Sequence, residues 1–329
     1  MGIYSHCKAQ GRLAMNQSTI SEFILLGLSH SCTHQLALFV VILACYATLL
    51  LGNFLIVMTV HAEPHLLDCP MYFFLASLSL LDMALGSVAA PKMLADMMLC
   101  SHTISYGGCM AQLFSLHVFG GAEMLLLTIM AYDRYMAICH PLRYMAIMDR
   151  QRCLRFLVVC WIGGLLHSTI QMAVVAQLPF CGPNVLDNFY CDVPQVIKLA
   201  CTETSIIELL MVANSSLLSL PCFIIVLISY AIILVTLRGH FTKASRKTLS
   251  TCSSHLMVIS LIYIPCVFVY LRPFSSSRLD KVASVFYTIV TPALNPIIYT
   301  LRNQEVKEAM GRLKKKCIFF PTRLKEGHA

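Results

Sequence analysis

The sequence predicts an all-α membrane protein, a seven-transmembrane helix bundle with a short amphipathic helix near its C-terminus. Three observations predict it. Of 329 residues, 58% are hydrophobic and 12% charged, about half the charged share of an average soluble domain. Long apolar runs recur, several exceeding the ~20 residues that a helix needs to cross a hydrocarbon core of ~30 Å. The basic residues gather in one set of connecting segments, the bias that orients membrane proteins.

Residues 1–35 form an N-terminal segment whose start is polar and lacks the apolar centre of a signal peptide, so the first span is expected to direct insertion itself. Met1 and Met15 are alternative starts. Met15 precedes a sequon, Asn16-Gln17-Ser18, and glycosylation at Asn16 would mark this end as extracellular. Apolar runs then place spans near 36–61, 70–93, 108–133, 154–176, 206–237, 248–271 and 282–301, so that 36–301 is one transmembrane domain. An odd number of spans puts the C-terminus in the cytoplasm.

Charge supports that orientation. The segments it makes cytoplasmic hold Arg134, Arg143, Arg150, Arg152 and Arg155, then Arg238, Lys243, Arg246 and Lys247, then the tail from Arg302; only Lys8, Arg12, Lys92, Lys198, Arg272, Arg278 and Lys281 lie elsewhere. Membrane orientation thus accounts for the net charge of +8 better than a nucleic-acid partner does. In the cytoplasmic segment 302–329, Glu305 to Met310 runs into Arg312 and Lys314-Lys315-Lys316, a pattern suited to a helix on anionic lipid, with Cys317 beside it as a candidate for lipidation.

Of 16 cysteines, most sit inside apolar runs as small core residues, Cys45, Cys160, Cys222 and Cys266 among them. Four others, Cys109, Cys181, Cys191 and Cys201, fall on the oxidising side, and three pairings are open to them.

Topology alone leaves transporters, channels and receptors in play. Local motifs separate them. At the end of span three stands Met130-Ala131-Tyr132-Asp133-Arg134-Tyr135, followed by Met136-Ala137-Ile138-Cys139-His140-Pro141-Leu142-Arg143-Tyr144. An arginine at that depth is costly unless paired or wetted, and Asp133 is expected to hold it until release makes it a docking group. Span seven ends in Asn295-Pro296-Ile297-Ile298-Tyr299, where the proline permits a bend and Asn295 is expected to bond the freed carbonyl region. With Phe23 to Leu28, Gly52-Asn53, Pro70 to Leu75, Asp82, Ser229-Tyr230 and Lys247 to Leu256, these motifs resemble the olfactory receptors, rhodopsin-like receptors coupled to G proteins. The second outer loop is similar to the tetrapod-type class, family 4. Departures from the family pattern are Leu67-Asp68-Cys69 before Pro70, Thr248 after Lys247, and Met136.

The resemblance implies a plasma-membrane receptor that binds a small, mostly neutral volatile odorant and raises cyclic AMP through the stimulatory olfactory G protein. It implies disulfides Cys109–Cys191 and Cys181–Cys201, and a switch built on Asp133, Arg134, Tyr135, Tyr230, Asn295, Pro296 and Tyr299. It also places Asp82 and Glu123 with Asn53 and Asn295 at a regulatory Na+ site; a protonated carboxyl pair without an ion is the alternative.

The cavity is read from spacing first. On span three, Leu116, His117, Gly120 and Gly121 share a face on which missing side chains would leave room beneath His117. On span six, Tyr263, Cys266, Val267 and Tyr270 form a comparable stripe, and on span five Asn214 and Ser215 supply polar groups. The resemblance implies that these line the odorant site. No carboxylate near Leu116 awaits an amine, so neutral ligands fit better. No nucleophile-and-base set or metal motif points to an enzyme. The competing readings are a transporter or channel using Asp82 and Glu123, and a receptor fold that does not signal.

Overall fold

The computed structural model describes residues 21–28, 32–99, 101–181, 183–238, 243–271, 278–302 and 305–313. Asn16 and Cys317 lie outside them. The chain begins with β1 (Glu22–Leu25) and α1 (Cys32–Ala62), then the short α2 (Pro64–Leu67) and α3 (Pro70–Leu99). β2 (Thr103–Ser105) leads into α4 (Tyr106–Cys139), which Ser105 caps by accepting from the Gly108 amide. α5 (Pro141–Ile147) lies before α6 (Arg150–Val175), capped in the same way by Asp149. β3 (Val185–Leu186) and α7 (Val193–Ile197) lie before α8 (Ser205–Arg238) and α9 (Lys243–Leu271).

The last span is composite. α10 (Arg278–Val285) passes through a π-helical turn, Phe286–Val290, into α11 (Thr291–Arg302), and α12 (305–313) follows. Six helices are long and apolar enough to cross a membrane, and the apolar stretch Thr251–Cys266 of α9 supplies the seventh. The expected spans match these helices, most of which extend a few residues further, except that span four overruns the end of α6 by one residue and span seven crosses the composite α10–α11. Large apolar side chains such as Val40, Leu51, Leu217 and Val235 point away from the bundle, as lipid-facing residues do.

The N-terminal segment holds an element that hydropathy does not reveal. β1 is the centre of a three-stranded sheet, antiparallel to β2 with Phe23 opposite Ile104, and parallel to β3 with Ile24 opposite Val185. Phe23 and Leu25 point inward and are fully buried, each contributing ~1.5–3 kcal/mol of burial. Lys281 donates to Gly27 O at 3.2 Å and pairs with Asp187, tying the sheet to the last span.

The structure joins Cys109 to Cys191 and Cys181 to Cys201. Gln112 reinforces the first bridge: its Oε1 accepts from the Cys191 amide at 2.9 Å while its Nε2 donates to Val88 O at 3.0 Å. At the opposite end α12 buries Val306 and Ala309. Tyr72 donates to Glu305 at 2.7 Å, and Arg312 lies 3.7 Å from Glu63.

Candidate functional site

A cavity of about 360 Å³ opens between the third, fifth, sixth and seventh spans, beneath the loop that carries Cys191. Seven of the ten expected lining residues border it: Leu116, His117, Gly120, Gly121, Ser215, Tyr263 and Cys266. The side chains of Val267 and Tyr270 lie outside the described residues. Asn214 does not border the space; it stands behind the wall and bonds His167. Ser215 both faces the cavity and accepts from Gln171 Nε2 at 2.9 Å.

Gly120 and Gly121 both line the cavity, and each also makes room for a neighbouring span. A Cβ on Gly120 would stand 2.3 Å from the Tyr287 hydroxyl, so the missing side chain admits that hydroxyl. A Cβ on Gly121 would lie 3.1 Å from Gly164 Cα, and one on Gly164 would meet Val118 O at 2.4 Å. These glycines let α4 and α6 cross at backbone contact, the small-residue packing that membrane helices use in place of a hydrophobic drive.

Span four contributes residues that sequence reasoning missed. His167 lines the cavity, with its ring centroid 5.8 Å from that of His117. The signal was present: Gly164, His167, Ser168, Gln171 and Val175 recur at helical spacing and are all buried, a polar stripe on an otherwise apolar span. Tyr287 comes from the π-helical turn, and Phe223 stacks on Tyr263 at 5.2 Å between ring centroids.

Asp192, next to the Cys191 bridge, forms part of the roof. Burial pushes its carboxyl up to about 6; the Val193 amide opposes the rise, Asp280 adds to it and Lys198 opposes it.

Deeper in the bundle, Asp82 accepts both its bonds from Asn295 Nδ2, at 3.1 and 2.9 Å. This corrects the expectation that Asn295 serves the carbonyl freed by Pro296. That carbonyl belongs to Pro292, and Asn53 bonds it from the first span at 3.0 Å; Asn295 is instead held on the face toward α3. A Cβ on Gly52 would meet Pro296 at 2.8 Å, so the glycine beside Asn53 brings the helices close enough for that bond. Glu123 stands beside Asp82. Neither oxygen of Glu123, nor Oδ1 of Asn53 or Asn295, has a hydrogen-bond partner among the described residues, and all four are buried.

At the far end of α4, Asp133 accepts from the Tyr144 hydroxyl of α5 at 2.8 Å, whereas no ion pair joins it to Arg134 among the described residues. Consecutive helix positions project to different faces, so the carboxylate turns toward α5 rather than toward its neighbour. Burial, reinforced by Asp133, pushes the Tyr144 phenol up, which keeps it a donor. Tyr135 pairs with His140 Nε2 at 3.0 Å. Tyr230 on α8 bonds His255 Nδ1 on α9, linking the fifth and sixth spans, and Tyr299 is buried in the same core. His255 was legible only as part of a motif.

A seven-span bundle with a largely apolar cavity under a disulfide-pinned loop, and buried polar groups extending toward Asp133 and Arg134, defines a membrane receptor rather than an enzyme. The olfactory receptor family model matches residues 42–316. The chain is 58% identical to human olfactory receptor 4Q3 over 92% of its own length and 97% of that protein's. It is 51% identical to human olfactory receptor 4K14, over 93% and 98%, and 50% identical to mouse olfactory receptor 4E2, over 93% and 99%. The chain therefore belongs to the olfactory receptor family, and it is an odorant receptor of the G-protein-coupled class, not an enzyme. The transporter and channel reading is not favoured.

Proposed function

We propose that the chain resides in the plasma membrane with its N-terminus outside, binds small, mostly neutral volatile molecules in the 360 Å³ cavity, and activates the stimulatory olfactory G protein to raise cyclic AMP. The observation that carries the reading is the cavity itself: it lies beneath the Cys109–Cys191 loop and is walled largely by apolar groups, with Asp192 at its roof as the one acidic residue among its described lining. The two disulfides at one end support an oxidising exterior there. The Arg134 end supplies the coupling face, with Asp133, Tyr135, Tyr230 and Tyr299 around the arginine. Lipid contacts the apolar outer faces.

The deciding experiment measures cyclic AMP in cells carrying the chain and the olfactory G-protein α subunit across an odorant panel, with surface level monitored. A response lost in Arg134→Ala at equal surface level supports the reading. Silence of the well-expressed wild type to the whole panel, or a response that Arg134→Ala leaves intact, refutes it.

A regulatory Na+ is part of the same proposal. The oxygens of Asp82, Glu123, Asn53 and Asn295 are hard donors suited to such an ion, and four of them are buried without a partner. They would hold it between α1, α3, α4 and α11, where it would neutralise buried carboxylate charge. Thermal stability of the purified receptor should rise with Na+ but not with choline, and Asp82→Asn should abolish the rise; equal curves in both salts would remove the ion from the account.

A further inference from the structure

The two imidazoles of the cavity are held in opposite tautomers. His117 Nδ1 lies 2.9 Å from the Leu113 carbonyl oxygen. A carbonyl only accepts, so in the neutral ring Nδ1 carries the hydrogen and Nε2 is left as an acceptor. His167 is set the other way. Asn214 Nδ2 lies 3.3 Å from the backbone oxygen of His167, which fixes the nitrogen end of the amide toward α6, and the same nitrogen lies 3.1 Å from His167 Nδ1. An amide nitrogen only donates, so Nδ1 accepts and Nε2 bears the hydrogen. Both rings border the cavity, and neither Nε2 has a hydrogen-bond partner among the described residues.

We infer that His117 and His167 form a complementary acceptor-and-donor pair that selects ligands bearing a hydroxyl group, alcohols and phenols, over ketones, esters and ethers of the same size. The inference rests on the cavity being the ligand site proposed above. One hydroxyl can give its hydrogen to His117 Nε2 and accept from His167 Nε2–H. The ring centroids lie 5.8 Å apart, which places both imidazoles around one part of the cavity, within reach of a single small polar group. A ketone or ether engages only His167 and leaves the His117 lone pair dry. Sites built to bond a hydroxyl reject analogues that lack it, because their own polar groups are then stranded.

The test reads binding without any G protein. Purified full-length receptor is thermally unfolded with straight-chain and aromatic alcohols, each beside its ketone and methyl-ether counterpart. In the wild type the half-maximal stabilising concentration of the alcohol is expected to be about tenfold lower or better. His117→Phe should bring alcohol and ketone level, since both then only accept from His167. His167→Phe should widen the gap, since the ketone then has no donor. Equal stabilisation of the wild type by all three classes, no stabilisation by any alcohol, or selectivity that survives His117→Phe overturns the inference; the wild-type panel alone decides if a variant does not fold. Retained alcohol selectivity without a cyclic AMP response would refute the signalling reading and leave this one standing.

Discussion

Gly164→Ala should destabilise the receptor out of proportion to one methyl group. The added Cβ would lie 2.4 Å from Val118 O, 2.8 Å from the Ala122 amide nitrogen and 3.2 Å from Ala122 Cβ. Two of these neighbours are backbone atoms of α4, which no rotamer change can move. Ordinary contact requires the helices to separate by about 1 Å, and forcing that into a packed core costs ~1–3 kcal/mol. The adjacent Gly163→Ala is the control. Its Cβ would meet only the Leu125 side chain, with Cδ1 also at 2.4 Å and Cγ at 3.9 Å, and the end of a leucine side chain can swing aside. Thermal unfolding of both variants, purified alongside the wild type, should show a clear drop for Gly164→Ala and a small one for Gly163→Ala. Because Gly121 and His167 lie on the same crossing, Gly164→Ala should also weaken alcohol binding. A Gly164→Ala protein as stable as the wild type, or a Gly163→Ala protein that is the worse of the two, would refute the backbone-contact argument.

Asp192 carries a pH effect of defined sign. Its folded value of about 6 stands above the ordinary 3.8, so the folded state resists ionisation, and stability contributed by this group is greatest below the lower value and falls as pH rises toward the upper one. Asp192→Asn should therefore be more stable than the wild type, with its advantage growing about tenfold in the folding equilibrium between about pH 5 and about pH 7; an advantage that does not vary with pH would refute the assignment. Asn53→Leu strands the Pro292 carbonyl that Asn53 now bonds at 3.0 Å, and thermal unfolding should show a loss of ~1–3 kcal/mol, whereas no loss would mean that the carbonyl finds another donor. Tyr230→Phe and His255→Phe should be non-additive in basal and ligand-driven cyclic AMP, since each removes the same bond between the fifth and sixth spans; additive effects would uncouple them.

The spans were legible because a membrane asks little beyond length and hydropathy, and α1, α3, α4, α6 and α8 satisfy both without ambiguity. The sheet was not, because a strand of four residues, Glu22–Leu25, has no periodicity to read until its partners near 104 and 185 are brought beside it. In the cavity, spacing within one helix placed Leu116, His117 and Tyr263 but could not say what faced them. Gly120 lines the cavity as its spacing suggests, but spacing does not show that it also admits Tyr287 from another span. Asn295 was assigned to its own helix's broken bond when a donor 239 positions away in the chain, Asn53, meets that need.

These misses share one cause, which bears on ligand selectivity. A polar group inside a bilayer must find a partner within the protein, and the partner is usually on another helix, where sequence spacing gives no distance. His117 shows the consequence: its identity suggests donor or acceptor alike, its own carbonyl contact makes Nε2 an acceptor, and only Asn214 on the fifth span, acting on His167 of the fourth, supplies the donor opposite it. Substitution at Asn214, a residue that does not touch the cavity, should therefore change which ligands fit as surely as substitution at the wall, because it sets the hydrogen that the wall presents.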